Sequence, residues 1–245
     1  MRIARGGKAV YGAPLGILML DARFPRIPGD MGNALTWPFP VLYRVVPDAT
    51  PERVVLEGAQ GLLPRFLDAA AELVALGAEA ITTNCGFLSL FQRELAAHVG
   101  VPVATSSLMQ VPWVQATLPP GQRVGVVTVS AASLTPAHLE AASVPADTPV
   151  AGTEGGREFF RVLIRAEKDD MDVALAEQDV VGAGRDLMRR HNDVGAIVLE
   201  CTNMPPYAAA LQAATGRPVY DIYSMITWFH AGLRPRTWTL STGRH

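Results

Sequence analysis

The chain has 245 residues, a formal net charge of −2 and an apolar content of 49%. A chain of this length, with 18% charged residues, buries a sizeable core, so the composition excludes a disordered protein. It contains no long block of Lys or Arg, which argues against a nucleic-acid or anionic-membrane partner. Its apolar runs are far shorter than the roughly 18 residues that cross a bilayer.

The amino-terminal segment imitates a signal peptide, because basic residues precede the apolar run Leu15–Leu20. That run is shorter than a secretory apolar segment and ends on Asp21 without a small-residue cleavage site. It therefore predicts the first strand. Two cysteines without a secretion signal predict reduced thiols in a cytoplasmic protein.

Short apolar runs alternate with longer amphipathic stretches along the chain. The predicted strands are Leu15–Leu20, Val41–Val46, Ala80–Thr83, Val101–Ala104, Arg123–Thr128, Pro149–Gly152, Ala196–Leu199 and Pro218–Asp221. The predicted helices are Leu62–Leu76, Leu88–His98, Leu108–Leu118, Ala131–Ala142, Glu158–Arg165, Val173–His191, Tyr207–Thr215 and Ser224–Leu233. Nearly all-apolar strands that alternate with helices predict an α/β fold with parallel sheets.

The segment Phe24–Pro40 is rich in Pro and Gly and lacks periodicity. It is long for a loop in a compact domain, and long loops are usually functional or disordered. Its aromatic and apolar content favours an ordered loop. It begins just after the first strand, at the sheet edge where open α/β folds bind ligands.

The two cysteines of the chain have similar surroundings. Cys85 lies in "AITTNCG" and Cys201 in "AIVLECTN", each at the same distance after an Ala-Ile pair. Each apolar strand follows a helix and a Gly-containing turn, and the two sites are about half a chain apart. This limited internal similarity centres on the thiols and favours a functional pair over two buried structural cysteines.

The position of each thiol suits proton transfer. A cysteine that leaves a parallel strand and enters a helix is close to unpaired N–H groups, which favour the thiolate. Two thiols that face each other across a cleft can act on opposite sides of one carbon, one removing a proton and the other delivering one. Cys85 and Cys201 are therefore a candidate catalytic acid/base pair.

The segments "TTNCGF" and "LECTNMPPYA" resemble motifs of the aspartate/glutamate racemase superfamily. This superfamily includes cofactor-independent amino-acid racemases, hydantoin racemases, arylmalonate decarboxylases and maleate cis–trans isomerases. The segments "IPGDMGNALTWPFPV" and "VGVVTVS" resemble those of a less characterised branch of it. The resemblance covers nearly the whole chain, and its motifs are more specific for the superfamily than for a substrate.

The resemblance implies two pseudo-symmetric flavodoxin-like α/β lobes, each a mostly parallel sheet flanked by helices, with the active-site cleft between them. It places residues 1–105 and 218–245 in the lobe that carries Cys85, and residues 106–217 in the lobe that carries Cys201. It also implies a homodimer and a small carboxylate-bearing substrate. The substrate-binding residues that it implies are Asn84, Gly86, Thr202, Asn203, Thr128 and Ser130.

The resulting hypothesis is an isomerase, namely a PLP-independent racemase or epimerase acting at a carbon next to the carboxylate of an amino acid or related acid. Asn203 stands where glutamate racemases carry His, which disfavours that substrate. Arylmalonate decarboxylases keep one of the two cysteines, so their scheme is disfavoured here. Two alternatives stay open: a maleate-like cis–trans isomerase with a covalent cysteine, and a non-catalytic protein that binds small carboxylates.

Three acidic or amide residues have two interpretations each. Glu200 would raise the pKa of a nearby thiol, but strand alternation directs it away from Cys201, so structural and substrate-binding roles stay open. Asp30 and Asn33 are candidates for substrate contact, and the alternative is turn formation in the long loop.

The remaining candidates favour structural roles. Asp221 lies near a predicted helix start, and Arg44 and Lys168 are more typical of surface charges than of carboxylate-binding groups. The five histidines lack metal-ligand spacing, and the glycine pairs lack the Rossmann or P-loop arrangement. We therefore expect no metal and no cofactor.

Overall fold

The computed structural model describes residues 3–238 and contains two four-stranded parallel sheets. The strands are β1 (Leu15–Leu20), β2 (Val41–Val46), β3 (Ala80–Thr83), β4 (Val103–Ala104), β5 (Arg123–Thr128), β6 (Val150–Gly152), β7 (Val194–Leu199) and β8 (Val219–Tyr220). Strand order is β2-β1-β3-β4 in the first sheet and β6-β5-β7-β8 in the second. The same order recurs in both sheets, and the predicted two-lobe α/β fold is confirmed. Residues 1–2 and 239–245, which were predicted to belong to the first lobe, lie outside the described residues.

Helices cover the sheets. They are α1 (Pro51–Val55), α2 (Leu63–Leu76), α3 (Gln92–Val99), α4 (Val111–Thr117), α5 (Pro136–Ala141), α6 (Phe159–Leu163), α7 (Val173–Arg190), α8 (Ala208–Thr215) and α9 (Ile222–Leu233). Short 3-10 helices span Ala34–Thr36, Gly86–Phe91, Ser107–Gln110 and Pro205–Tyr207. None of the helices within residues 3–238 combines the length and apolarity needed to cross a membrane.

The central strands β1 and β7 are fully buried, which explains their continuous apolar sequences. β1 pairs with β2 and β3, and β7 pairs with β5 and β8. All six residues of β1 and all six of β7 are buried, as parallel strands covered on both faces are. The loops that leave β3 and β7 therefore emerge from rigid elements, and these loops carry the two cysteines.

The end of the chain divides between the two sheets. β8 lies within residues 218–245, which were predicted to belong to the first lobe, yet it pairs with β7 in the second sheet. α9 does pack on the first sheet, where Ile222 and Met225 join a buried cluster with Leu15. The backbone of β8 extends the hydrogen-bond ladder of β7, and the chain returns to the first sheet only after Tyr220. The remaining division into domains stays a prediction.

Candidate active site

Cys85 and Cys201 lie on the wall of one small cavity, where β3 and β7 end. The cavity holds about 20 Å³, roughly the room for one water molecule. Its other polar side chains belong to Asn84, Glu200, Thr202 and Asn203. The structure thus brings the two cysteine motifs together from separate sheets.

Apolar side chains close the cavity. They belong to Leu20, Phe24, Pro51, Val55, Phe87, Val129, Leu163 and Ile164. Four of them, Phe24, Pro51, Leu163 and Ile164, also line an outer chamber of about 290 Å³. These four residues therefore form a wall between the outer chamber and the thiols, and none of them was singled out from the sequence.

The Cys85 thiol is mainly neutral, although Cys85 is only partly buried. Burial raises the pKa of the Cys85 thiol, and the nearby carboxylate of Glu200 raises it further. The backbone N–H groups of Phe87 and Leu88, together with the charge of Arg26, lower that pKa. The stabilisation by a helical amino terminus that was expected from the sequence is therefore present, but burial outweighs it.

Cys201 is the more deeply buried of the two thiols. It is buried, and its thiol donates a hydrogen bond to Asn203 Oδ1 over 3.5 Å. Burial raises the pKa of the Cys201 thiol, the negative charges of Glu200 and Asp30 raise it further, and the backbone N–H of Asn203 lowers it. Cys85 has cationic and N–H neighbours to offset burial, so it is the better candidate for a thiolate.

Glu200 is fully buried beside both thiols. Its Oε2 accepts a hydrogen bond from Thr128 Oγ1 over 2.7 Å, whereas Oε1 has no hydrogen-bond partner among residues 3–238. Burial raises the pKa of the Glu200 carboxyl to about 7, although the Thr128 hydrogen bond lowers it. The expectation that strand alternation directs Glu200 away from Cys201 was wrong, because β7 ends at Leu199 and the alternation ends with it.

Gly86 is the residue that lets Glu200 approach Cys85. A Cβ atom at Gly86 would lie 2.1 Å from Glu200 Oε1 and 2.5 Å from the Glu200 carbonyl oxygen. Contacts this short are not tolerated, so a side chain at this position would displace the carboxylate. The predicted substrate-binding role of Gly86 stays a prediction, but its packing role is evident.

The long loop after β1 is attached to the second cysteine through a chain of polar contacts. Asn203 Nδ2 donates to Asp30 Oδ2 over 2.5 Å, and Arg26 donates to Asp30 Oδ1 over 2.9 Å. The backbone N–H of Gly32 also donates to Asp30 Oδ1, over 2.7 Å. Arg26 was not identified from the sequence, because nothing in a lone Arg in a loop shows that it will pair with a buried carboxylate.

Two further site residues tie the sheets together. Asn84 Oδ1 accepts from the backbone N–H of Leu20 over 2.7 Å, and Thr202 Oγ1 donates to the Asn84 carbonyl oxygen over 2.5 Å. With its oxygen engaged, the Asn84 side chain has its amino group left to donate to a ligand.

The other predicted substrate contacts lie away from the cavity wall. Asn33 caps the 3-10 helix by accepting from the backbone N–H of Leu35, and it donates to the carbonyl oxygen of Arg26. Ser130 Oγ donates to Ser133 Oγ over 3.0 Å. Substrate contact by Asp30, Asn33, Thr128 and Ser130 stays a prediction.

The lone charged residues are engaged within the protein. Arg44 pairs with exposed Glu72 over 2.6 Å, and Lys168 pairs with buried Glu158 over 2.7 Å. Asp221 accepts from the backbone N–H of a residue in the first turn of α9 and so caps that helix. Among residues 3–238, no group of His, Cys, Asp and Glu side chains has the arrangement of a metal site.

Comparison with known proteins finds relatives that are dimethylsulfoniopropionate lyases. The chain is 30% identical over 226 residues to a dimethylsulfoniopropionate lyase of Durusdinium sp. clade D, covering 90% of this chain and 75% of the relative. It is 33% identical over 222 residues to dimethylsulfoniopropionate lyase 3 of Emiliania huxleyi (strain CCMP1516), covering 84% of this chain and 56% of that relative. The chain thus spans little more than half the length of the Emiliania protein. No family model matches the chain.

Solved structures share the fold at low sequence identity. Arylmalonate decarboxylase superposes with a TM-score of 0.60 at 15% identity, covering 94% of this chain and 96% of the other. Allantoin racemase from Pseudomonas fluorescens gives a TM-score of 0.58 at 14% identity, covering 92% and 100%. Picrophilus torridus aspartate racemase gives 0.54 at 13% identity, covering 90% and 95%. The fold of the aspartate/glutamate racemase superfamily, which the sequence motifs predict, is confirmed.

Proposed function

Because the chain belongs to the family of the dimethylsulfoniopropionate lyases, we propose that it is a cofactor-independent lyase acting on a small carboxylate. It removes a proton from the carbon next to the carboxylate and expels a sulfide from the following carbon. The observation that carries this proposal is a single well-placed base: Cys85 lies on the cavity wall with Asn84 and accepts stabilisation from the backbone N–H groups of Phe87 and Leu88. The relatives are named as lyases, and the assignment as an isomerase stays a prediction.

The proposed reaction is a β-elimination with one thiolate as base. Cys85 Sγ⁻ takes the proton, so that an S–H bond forms and the C–H bond breaks. The C–H electron pair becomes the second bond of an alkene, and the bond between carbon and the sulfonium sulfur breaks with its electrons staying on sulfur. The products are a neutral sulfide, a 2-alkenoate and a proton held on the enzyme, so charge and atoms balance.

The residues around Cys85 suit this step. The N–H groups of Phe87 and Leu88 stabilise the thiolate, and Asn84 has an amino group that can donate to the carboxylate as negative charge moves onto it. The apolar wall excludes water, which strengthens these interactions and protects the carbanion-like transition state.

A racemase or epimerase is the second candidate, and one observation favours it. Two thiols line the same cavity, whereas elimination requires a single base. In that case Cys201 delivers a proton to the face opposite the one that Cys85 deprotonates. The two functions therefore differ in their need for Cys201. A homodimeric assembly and a cytoplasmic location stay predictions from the sequence.

The discriminating experiment uses purified wild-type protein with dimethylsulfoniopropionate, and headspace gas chromatography measures the sulfide formed. We expect Cys85→Ser to lower turnover by about a hundredfold or more, the usual contribution of a general base, and Cys201→Ser to have a smaller effect. Gly182→Ala, in an exposed position of α7 with open space around it, is the control that should retain full turnover.

Other outcomes would assign other functions. If no sulfide forms, but amino acids exchange their α-proton with deuterated water in a reaction that needs both thiols, the racemase replaces the lyase. A thioether adduct found by mass spectrometry would support covalent cis–trans isomerisation. Thermal stabilisation by carboxylates without any turnover would support a binding protein.

A further inference from the structure

Glu200 has a free carboxylate oxygen in the cavity that holds the thiols. The side chain is fully buried, and Oε1 is without a hydrogen-bond partner among residues 3–238. A buried carboxylate oxygen without a partner is costly, so such groups usually have a function. Its close approach to the backbone at Gly86 sets this oxygen next to the segment that carries Cys85.

We propose that Glu200 is the acid–base partner of Cys85: it takes the thiol proton to form the thiolate and later releases that proton to water. In the resting pair the thiol keeps its proton and Glu200 is ionised. Transfer gives a thiolate and a neutral carboxyl, the thiolate removes the substrate proton, and Glu200 then loses its proton as the products leave. Each turnover thus releases one proton, as the elimination requires. This inference rests on the proposed lyase function.

The closed cavity is the physical reason for such a partner. In a small, largely apolar cavity, forming a thiolate at neutral pH by releasing its proton directly to bulk water is costly. Transfer to a carboxylate in the same cavity leaves the total charge of the pair unchanged, so it avoids the cost of adding a second negative charge.

The surrounding charges select Cys85 over Cys201 as the proton donor. Arg26 and two backbone N–H groups stabilise a thiolate at Cys85, whereas Cys201 has one such N–H group, that of Asn203, and Asp30 opposes a thiolate there. Of the charged and titratable groups within residues 3–238, only the two thiols lie on the cavity wall with Glu200. Asp30 and Arg26 lie behind Asn203 and pair with each other.

The pH dependence of sulfide formation tests the proposal with two variants. In wild type, turnover should rise as Glu200 ionises. Glu200→Gln should lower turnover at neutral pH by about a hundredfold and move the rise to more alkaline pH, where Cys85 ionises unaided. Thr128→Val removes the hydrogen bond that favours the ionised carboxylate, so it should move the rise to higher pH without abolishing it. Identical pH profiles for the three proteins would overturn the proposal.

A second measurement needs no turnover and separates this proposal from the proposed function. In a Cys201→Ser background, the ultraviolet absorbance of the Cys85 thiolate is followed during an alkaline titration. Adding Glu200→Gln should move thiolate formation to lower pH, because a negative charge that opposes it is removed. The same substitution should then promote the thiolate and yet lower turnover, a pair of effects that a structural role does not produce. An unchanged or higher thiol pKa would overturn the partnership, whatever substrate the enzyme uses.

Discussion

Replacing Glu200 by Gln should change how the stability of the protein depends on pH. The usual pKa of this carboxyl is 4.5, and burial raises it to about 7 in the folded protein. Between these values the unfolded chain has lost the proton while the folded protein still holds it. Deprotonation therefore favours the unfolded state, and the contribution of Glu200 to stability falls as the pH rises through this interval.

The size of this effect follows from the pKa difference. A rise from 4.5 to about 7, at about 1.4 kcal/mol per unit, corresponds to a penalty of about 3 kcal/mol that is complete above pH 7. Glu200→Gln stays neutral at every pH and escapes this penalty. Any effect of the new amide group on packing is independent of pH. The test is therefore how the stability difference between the two proteins changes with pH, and not its absolute size.

Urea unfolding of wild type and Glu200→Gln, repeated across this pH interval, measures the difference in the free energy of unfolding. The variant should gain stability relative to wild type at about 1.4 kcal/mol per pH unit and then level off above the folded-state pKa. Glu57→Gln, at an exposed position, is the matched reference for the loss of one carboxylate. A difference that is constant or falls with rising pH would refute the reasoning, because it would mean that the buried carboxyl has no raised pKa.

Three further predictions concern packing, acid sensitivity and access. Gly86→Ala should lower the free energy of unfolding, measured in urea, by about 1–3 kcal/mol, because its Cβ would lie 2.1 Å from a Glu200 carboxylate oxygen. Gly182→Ala is the matched control and should raise the free energy of unfolding by about 0.5–1 kcal/mol, because its site in α7 is helical and open. Burial lowers the pKa of His138 to about 4, so the free energy of unfolding should fall by up to about 3 kcal/mol as the pH falls from 6.5 to that value. His138→Gln should remove this loss. Equal acid sensitivity of wild type and variant would contradict the prediction. Phe24→Ala should speed the alkylation of Cys85 by a bulky maleimide, and an unchanged rate would show that the reagent enters elsewhere.

The sequence predicted the strands well because the sheets are buried on both faces. All eight predicted strands are present, and four of them, β1, β2, β3 and β5, have the predicted bounds. α1 was missed, because five residues are too few to show periodicity. Thr50 followed by Pro51 is a typical helix start and was the available signal.

The position of both cysteines on one cavity wall could be expected from the sequence, since each follows the carboxyl end of a buried strand at matching positions in two similar sheets. The contact of Asp30 with Asn203 could not, because it joins residues far apart in the chain through a loop without periodicity. The closeness of Glu200 to Cys85 was equally hidden. It depends on where β7 ends and on the missing side chain at Gly86.

The environment of the two thiols has a consequence for the chemical durability of the enzyme. Sulfur is oxidised by peroxide mainly as an accessible thiolate, whereas these two thiols are mainly protonated, with Cys201 buried and Cys85 partly exposed. Protonation of both thiols therefore slows the oxidation of sulfur in the resting protein. Because Cys85 is the more exposed of the two, it should be oxidised before Cys201.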